Sequence, residues 1–510
     1  MPNSSFPISP EHENRIKLHE FCRATSLRYA LIQSEKNVLV ASRILTYLAL
    51  ACLALASPAF ARHDQPASAT FSECKDAGAD LTLQRTECAR IDVPLDYTKP
   101  GLETIQLFVR KFPAQGASKG QLWLVAGGPG ESGASFYPFI ETFRAAAPGF
   151  DLMIPDHRGT GFSTRLCPEE ESPSSDAGTA LAGEEWARCF DALNANASRT
   201  RSFTISNAAH DLKLLMSRFD SGDSSYLYGV SYGTQLVLRM LTLAPRGDLD
   251  GVILDSLVPL ESNDQLDLSH RSAVTDRVGR KVLRQCDQAA DCKRYFPEGA
   301  EQAVTELFQR DDIKDLAGPD LKYRLSALLD FPETRAMLPN VIAGLQADNP
   351  AWLDYAMGRL AGIGSVLKSY PQSGSSIPLV NLISRSENNA RPQLTAEMIR
   401  NETEGYLFAS PLPSLLLAGG IPTYQPDGNF GGIPERIPPT IVLHGTLDPK
   451  TPLDGAREHV TALKAAGDIS LLQIEQAPHF VLMTAPEEFK ELTKSFLGIA
   501  DRRRSSPRKP

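Results

Sequence analysis

The sequence predicts an α/β fold, a mostly parallel sheet flanked by helices, with a large helical insertion ahead of the last strands. Three observations predict it. Short apolar runs alternate with helix-patterned segments from Cys88 to Leu254, and again from Thr440 to Leu472, which is the rhythm of a parallel sheet. Between these blocks roughly 165 residues, 259–426, are dominated by helical patterning and lack the alternation. And Gly229-Val230-Ser231-Tyr232-Gly233 stands between the strand-like Ser225–Tyr228 and the helix-like run opening at Thr234. Strand, G-x-S-x-G, helix is the context in which a serine is lifted out of a sheet on a sharp turn. Glycines on either side remove Cβ atoms that such a turn would bring into collision.

Taken in order, residues 1–61 read as a leader. Ile44–Ala56 is almost wholly apolar, with Lys36 and Arg43 before it and Ala59-Phe60-Ala61 after Pro58, the layout of a secretory signal cleaved near Ala61. The run is too short to serve as a membrane span, so no stable anchor is expected after cleavage. Met1–Glu35 is polar and reads as an over-extended gene start or a long native n-region. Six cysteines follow the leader: Cys74, Cys88, Cys167, Cys189, Cys286 and Cys292. An exported chain would oxidise them. Sequence neighbours suggest the pairs 74–88, 167–189 and 286–292, one of the possible connectivities.

The first part of the core, 62–258, opens with strands at Cys88–Pro94 and Thr104–Arg110 around a turn at Lys99-Pro100-Gly101. Leu122–Val125 is a buried strand running into Gly127-Gly128-Pro129-Gly130, and Asp151–Ile154 is the next, ending at Asp156-His157-Arg158-Gly159. A helix is expected over Ser206–Phe219, then the strand before Ser231, then a strand at Gly251–Leu254. The insertion, 259–426, reads as a helical cap over the strand ends, with helices at Arg271–Cys286 and Glu301–Arg310, because the sheet still needs its final strands. Residues 427–500 supply these at Thr440–Leu443 and Ile469–Leu472, and 501–510 reads as a basic, disordered tail.

Composition excludes several classes of function. With 42% hydrophobic and 22% charged residues the chain is an ordinary globular protein, and a net charge of −9 argues against nucleic acid as a partner. The cysteine spacings fit no zinc pattern, no H-E-x-x-H is present, and the segment 156–163 lacks the lysine of a phosphate loop. Neither a metal nor a cofactor is implied. That segment reads instead as a structural turn buttressing the site, with Asp156 and Arg158 as a candidate pair.

A serine hydroxyl needs an imidazole to take its proton and a carboxylate to orient that imidazole. In the α/β-hydrolase fold the order along the chain is Ser, Asp, His, each on a loop after a strand. Asp448 follows the strand 440–443 and His479 follows the strand beginning at 469, so Ser231, Asp448 and His479 are the expected nucleophile, acid and base. His444 competes as base but precedes the acid and fits a strand-end structural role; Asp255 is the fallback acid. Negative charge on a tetrahedral intermediate needs preorganised N–H donors. Tyr232, next to the nucleophile, and Gly128, in the glycine loop after a strand, are the candidates.

Together Gly127-Gly128-Pro129-Gly130, Asp156-x-Arg158-Gly159-x-Gly161-x-Ser163, Gly229-x-Ser231-Tyr232-Gly233, Asp448 and His479 resemble the prolyl iminopeptidases. With the opening Cys88–Tyr97, the likeness is greatest to their secreted, tripeptidyl-aminopeptidase-like branch. It covers roughly 70–260 and 430–495 and leaves the cap largely out. Ala126 stands where that family's loop usually begins with histidine, so strict specificity for N-terminal proline is not implied. The resemblance implies an exported serine aminopeptidase acting on peptides with a free N-terminus, and hence an acid that pairs with the substrate ammonium. Glu131, Glu261, Glu333, Glu402 and Glu404 are open candidates, with Glu131 preferred. The alternatives are an esterase or lipase using the same triad on small esters, and an inactive hydrolase scaffold that only binds.

Overall fold

The computed structural model describes residues 70–172, 174–175, 181–243, 248–417 and 419–505; the expected leader and its cleavage point near Ala61 lie outside them. Among the described residues nine strands form one sheet: β1 (Ser72–Glu73), β2 (Glu87–Pro94), β3 (Thr104–Phe112), β4 (Gly120–Val125), β5 (Asp151–Asp156), β6 (Ser224–Val230), β7 (Gly251–Asp255), β8 (Thr440–Gly445) and β9 (Ile469–Ile474). Their order is β1-β2-β3-β5-β4-β6-β7-β8-β9. The first four neighbours pair antiparallel, and from β5 onward every pairing is parallel. This is the α/β-hydrolase fold the sequence predicts. Each expected strand is present, most running one to three residues further than its apolar run.

The chemistry of the strands explains their place. Every residue of β4, β7 and β8 is buried, as parallel strands covered on both faces require. Alternate residues serve opposite faces: Leu122 and Leu124 join one apolar cluster with Tyr228 and Phe489, while Trp123 and Val125 join the other with Leu227 and Val237. By contrast β2 alternates buried Ile91 and Val93 with exposed Arg90 and Asp92, the pattern of a strand near the sheet edge.

Between β7 and β8 the described residues form helices and loops without a strand, and they build a third apolar cluster of their own around Leu307, Leu325, Ile342 and Phe408. The helices Arg271–Cys286 and Ala300–Gln309 fall where the sequence placed them. The three disulfides pair Cys74 with Cys88, Cys167 with Cys189 and Cys286 with Cys292. Two expectations need correction. The closing helix, Pro486–Ser505, runs five residues into the stretch assigned to a basic tail. Asp156 and Arg158 do not pair. Arg158 forks onto Asp211 (2.6 and 2.8 Å), whereas Asp156 accepts the backbone N–H groups of Gly133 and Phe162 (2.8 Å each).

Candidate active site

Ser231 sits between β6 and the helix Tyr232–Leu243 with φ +54°, a left-handed conformation that costs a residue with a side chain on the order of 1–3 kcal/mol. Neighbours hold it there: its N–H donates to Asp255 O (2.9 Å), and its carbonyl accepts the N–H and hydroxyl of Thr234 (2.8 and 2.7 Å). Gly233 is required by close approach, since a Cβ there would stand 2.5 Å from the carbonyl oxygen of Val125. A strained turn over-determined by its surroundings is how a sheet presents a nucleophile.

The acid and histidine loops leave the ends of β8 and β9. Asp448 is buried and accepts four hydrogen bonds. Oδ1 takes the N–H groups of Lys450 and Thr451 (2.8 Å each), and Oδ2 takes the Thr451 hydroxyl (2.7 Å) and faces His479 Nδ1 at 2.8 Å. Burial alone would raise its pKa; the charge and hydrogen bond of His479, with His444 and the Thr451 amide, overcome this and hold the carboxyl well below the usual range. His479 is itself positioned from behind. The next residue, Phe480, adopts φ +65° and donates its N–H to Ser256 Oγ (2.8 Å). Val481 and Leu482 donate theirs to the two oxygens of Asp255 (2.9 Å each). Asp255 also accepts the Tyr228 and Ser256 hydroxyls (2.9 Å each), so the fallback acid is committed to anchoring the histidine loop. His444 is fully buried with Nε2 on Thr451 O (2.7 Å), a strand-end structural role, and burial lowers its pKa.

Ser231 and His479 open onto one cavity of about 510 Å³, walled by the core below and by insertion residues such as Tyr323 and Ala409 above. Tyr232 and Gly128 line it too, Tyr232 at the N-terminus of its helix, where the dipole favours an anion. Gly127 packs against the serine: a Cβ there would lie 3.3 Å from Ser231 Cβ and 3.5 Å from Glu131 Oε2. The half-buried Glu131 carboxylate therefore hangs over the glycine loop beside Ser231. Burial raises its pKa, against the nearby charges of Lys450 and His479. Together these groups can activate a hydroxyl, stabilise an oxyanion and hold a cation.

Among the described residues five carboxylates line the cavity, Glu131, Glu261, Asp267, Asp330 and Glu387, against one arginine and one lysine, Arg271 and Lys450. Four of the acids are engaged. Glu261 and Glu387 share Arg239 (2.8 Å each), Asp267 holds His270 (2.9 Å), and Asp330 holds Lys450 (2.9 Å). Among the described residues the Glu131 carboxylate has no hydrogen bond or ion pair. Of the other candidate acids, Glu333 pairs with Arg359 and Glu402 with Arg391, and neither they nor Glu404 line the cavity. Sequence reasoning missed Thr451, Arg271 and Glu387. Thr451 carried a signal, because an aspartate commonly accepts amides two and three residues on. Arg271 and Glu387 lie in the insertion, where no local pattern marks them.

These features are those of the α/β-hydrolase fold, and the family model described as alpha/beta hydrolase fold matches residues 122–278. Among curated proteins the chain is similar to a tripeptidyl aminopeptidase of Streptomyces coelicolor, 31% identical over 208 residues (36% of this chain, 37% of the relative). It is 28% identical over 257 residues to the serine protease Hip1 of Mycobacterium tuberculosis (46% of this chain, 47% of the relative). Carboxylesterase B of the same organism is 35% identical over 105 residues, 19% of either chain. The chain thus spans between a fifth and a half of the length of these relatives.

Proposed function

We propose that this α/β-hydrolase is an exported serine aminopeptidase that removes residues or short peptides from a free N-terminus. His479 takes the proton of Ser231 Oγ as that oxygen attacks the scissile carbonyl, and Asp448 keeps the imidazole in the required tautomer and stabilises its charged form. The N–H groups of Tyr232 and Gly128 receive the oxyanion, each such donor being worth about 10²–10³-fold in rate. Collapse releases the amine, protonated by His479, and leaves an acyl-Ser231 ester that water hydrolyses with His479 as base. The names of the longer-matching relatives, a tripeptidyl aminopeptidase and a serine protease, support peptide hydrolysis. Three disulfides support export. No described helix is long and apolar enough to cross a membrane.

The observation that carries the preference for a free N-terminus is the unengaged Glu131 carboxylate in a cavity where acids outnumber bases. A carboxylate beside Ser231 suits an ammonium one Cα away from the carbonyl under attack, which supports release of single residues. The test is hydrolysis of Pro-, Ala- and Ala-Ala-Ala-chromophores, their N-acetylated forms and a short acyl ester by the chain from residue 62. Free peptides should turn over at least 100-fold faster than blocked ones. Equal rates on free and blocked peptides, or turnover of the ester alone, would replace this reading with the esterase.

A further inference from the structure

Arg271 has no task in the reaction described above, yet it is 94% buried on the wall of the same cavity as Ser231 and His479. Its Nε finds no hydrogen-bond partner, and Asp448 and Asp267 act on it through their charge alone. Both acids are spent elsewhere. Asp448 serves His479, Thr451 and the Lys450 amide, while Asp267 serves His270, Ser269 and the Ala390 amide.

Two physical costs converge on this side chain. A guanidinium carries five donors in a rigid fork, and burying it without acceptors forfeits its hydration. Arg271 also opens the helix Arg271–Cys286, so its charge lies at the positive end of the helix dipole. Burial pushes its pKa down to about 10, so it still carries its charge at neutral pH. Both costs are relieved by an anion with two oxygens in one plane, the shape the fork matches. Among the described residues no other arginine lines the cavity.

We infer that Arg271 is a specificity-determining residue that binds a carboxylate carried by the substrate. This rests on the proposed peptidase reading and narrows it. Preferred substrates would bear both an ammonium, for Glu131, and a carboxylate, for Arg271. The carboxylate has two sources, an acidic side chain near the N-terminus or the C-terminal carboxylate of a very short peptide.

Calorimetric binding to the full chain carrying Ser231→Ala separates these sources. Ala-Ala is compared with its C-terminal amide for the terminal carboxylate, and Glu-Ala-amide with Gln-Ala-amide for the side chain. At least one carboxylate ligand should bind tenfold or more tightly than its amide partner. That ratio should fall to within twofold when Arg271→Gln is added, and to an intermediate value with Arg271→Lys, which keeps the charge but loses the fork. Arg271→Gln should melt no lower than its parent, since it removes a buried unpaired charge. Ratios within twofold before Arg271 is altered, a ratio that survives Arg271→Gln, or no binding of either carboxylate ligand at millimolar concentration would overturn the assignment. N-acetylated versions of the same ligands read the amine site separately. If acetylation costs nothing, the free-N-terminus reading fails while the Arg271 ratio stands on its own.

Discussion

Asp448 and Asp255 are both fully buried carboxylates, one in the loop after β8 and one closing β7, and the same substitution should injure them in opposite ways. In Asp448→Asn the remaining oxygen can still accept the Lys450 and Thr451 amides. The new amide then faces His479 Nδ1, where it favours the tautomer whose Nε2 bears the proton and cannot take one from serine. The expected loss is about 10³–10⁴-fold in kcat, equivalent to ~4–5.5 kcal/mol of transition-state stabilisation. In Asp255→Asn the new amide meets one hydroxyl, which can rotate to accept, and one backbone N–H, which cannot. One buried donor is stranded, costing about 1–3 kcal/mol of stability. The loosened histidine loop should cost less than about 10²-fold in kcat, the penalty typical of an ångström-scale displacement. Steady-state kinetics and denaturant unfolding on both variants give the comparison. If Asp255→Asn suffers the large kinetic loss while Asp448→Asn stays within tenfold of the parent, the assignment of roles is reversed and the reasoning fails.

Other consequences are equally concrete. Glu131→Gln should raise KM for free-amine peptides at least tenfold while altering kcat on a short ester less than threefold, as read by parallel kinetics. Because burial raises the Glu131 pKa, KM for those peptides should climb as pH falls through a value above the ordinary glutamate range of about 4.3, and this limb should vanish in Glu131→Gln. The sign for stability is opposite to the usual carboxylate: ionising Glu131 costs stability as pH rises through its folded value, so Glu131→Gln should melt no lower than the parent at pH 7. Replacing Cys167 and Cys189 by serine opens a link across 22 residues and should lower unfolding free energy by about 3 kcal/mol in denaturant titrations. Gly233→Ala should yield insoluble or inactive protein, because the added Cβ meets backbone that cannot move aside; soluble protein of full activity would contradict the packing at the elbow.

What was legible in the sequence follows from range. The core strands announced themselves because β4, β7 and β8 are buried on both faces and read as unbroken apolar runs. The loops bearing Ser231, Asp448 and His479 could be placed because each comes after a strand-like segment, at β6, β8 and β9 in turn. The disulfides join cysteines near in sequence. By contrast, the partner of Arg158 is Asp211, 53 residues away on a helix, and no spacing rule links them; proximity suggested Asp156 instead. The insertion was legible as helical but not as a wall. Arg271 and Glu387 reach the cavity through tertiary packing, where one helix face gives no sign of what it covers. Asp255 was equally opaque. It ends a strand in sequence much as Asp448 follows one, and the amides of Val481 and Leu482, over 220 residues away, make it an anchor.

The central claim is that Ser231 is the nucleophile of a serine hydrolase. A fluorophosphonate probe reacts with a serine only where a base and an oxyanion site stand ready. The whole protein should gain one probe mass, mapped by peptide mass spectrometry to Ser231, and Ser231→Ala and His479→Ala should gain none. An adduct on another residue, or undiminished labelling of Ser231→Ala, would contradict the account.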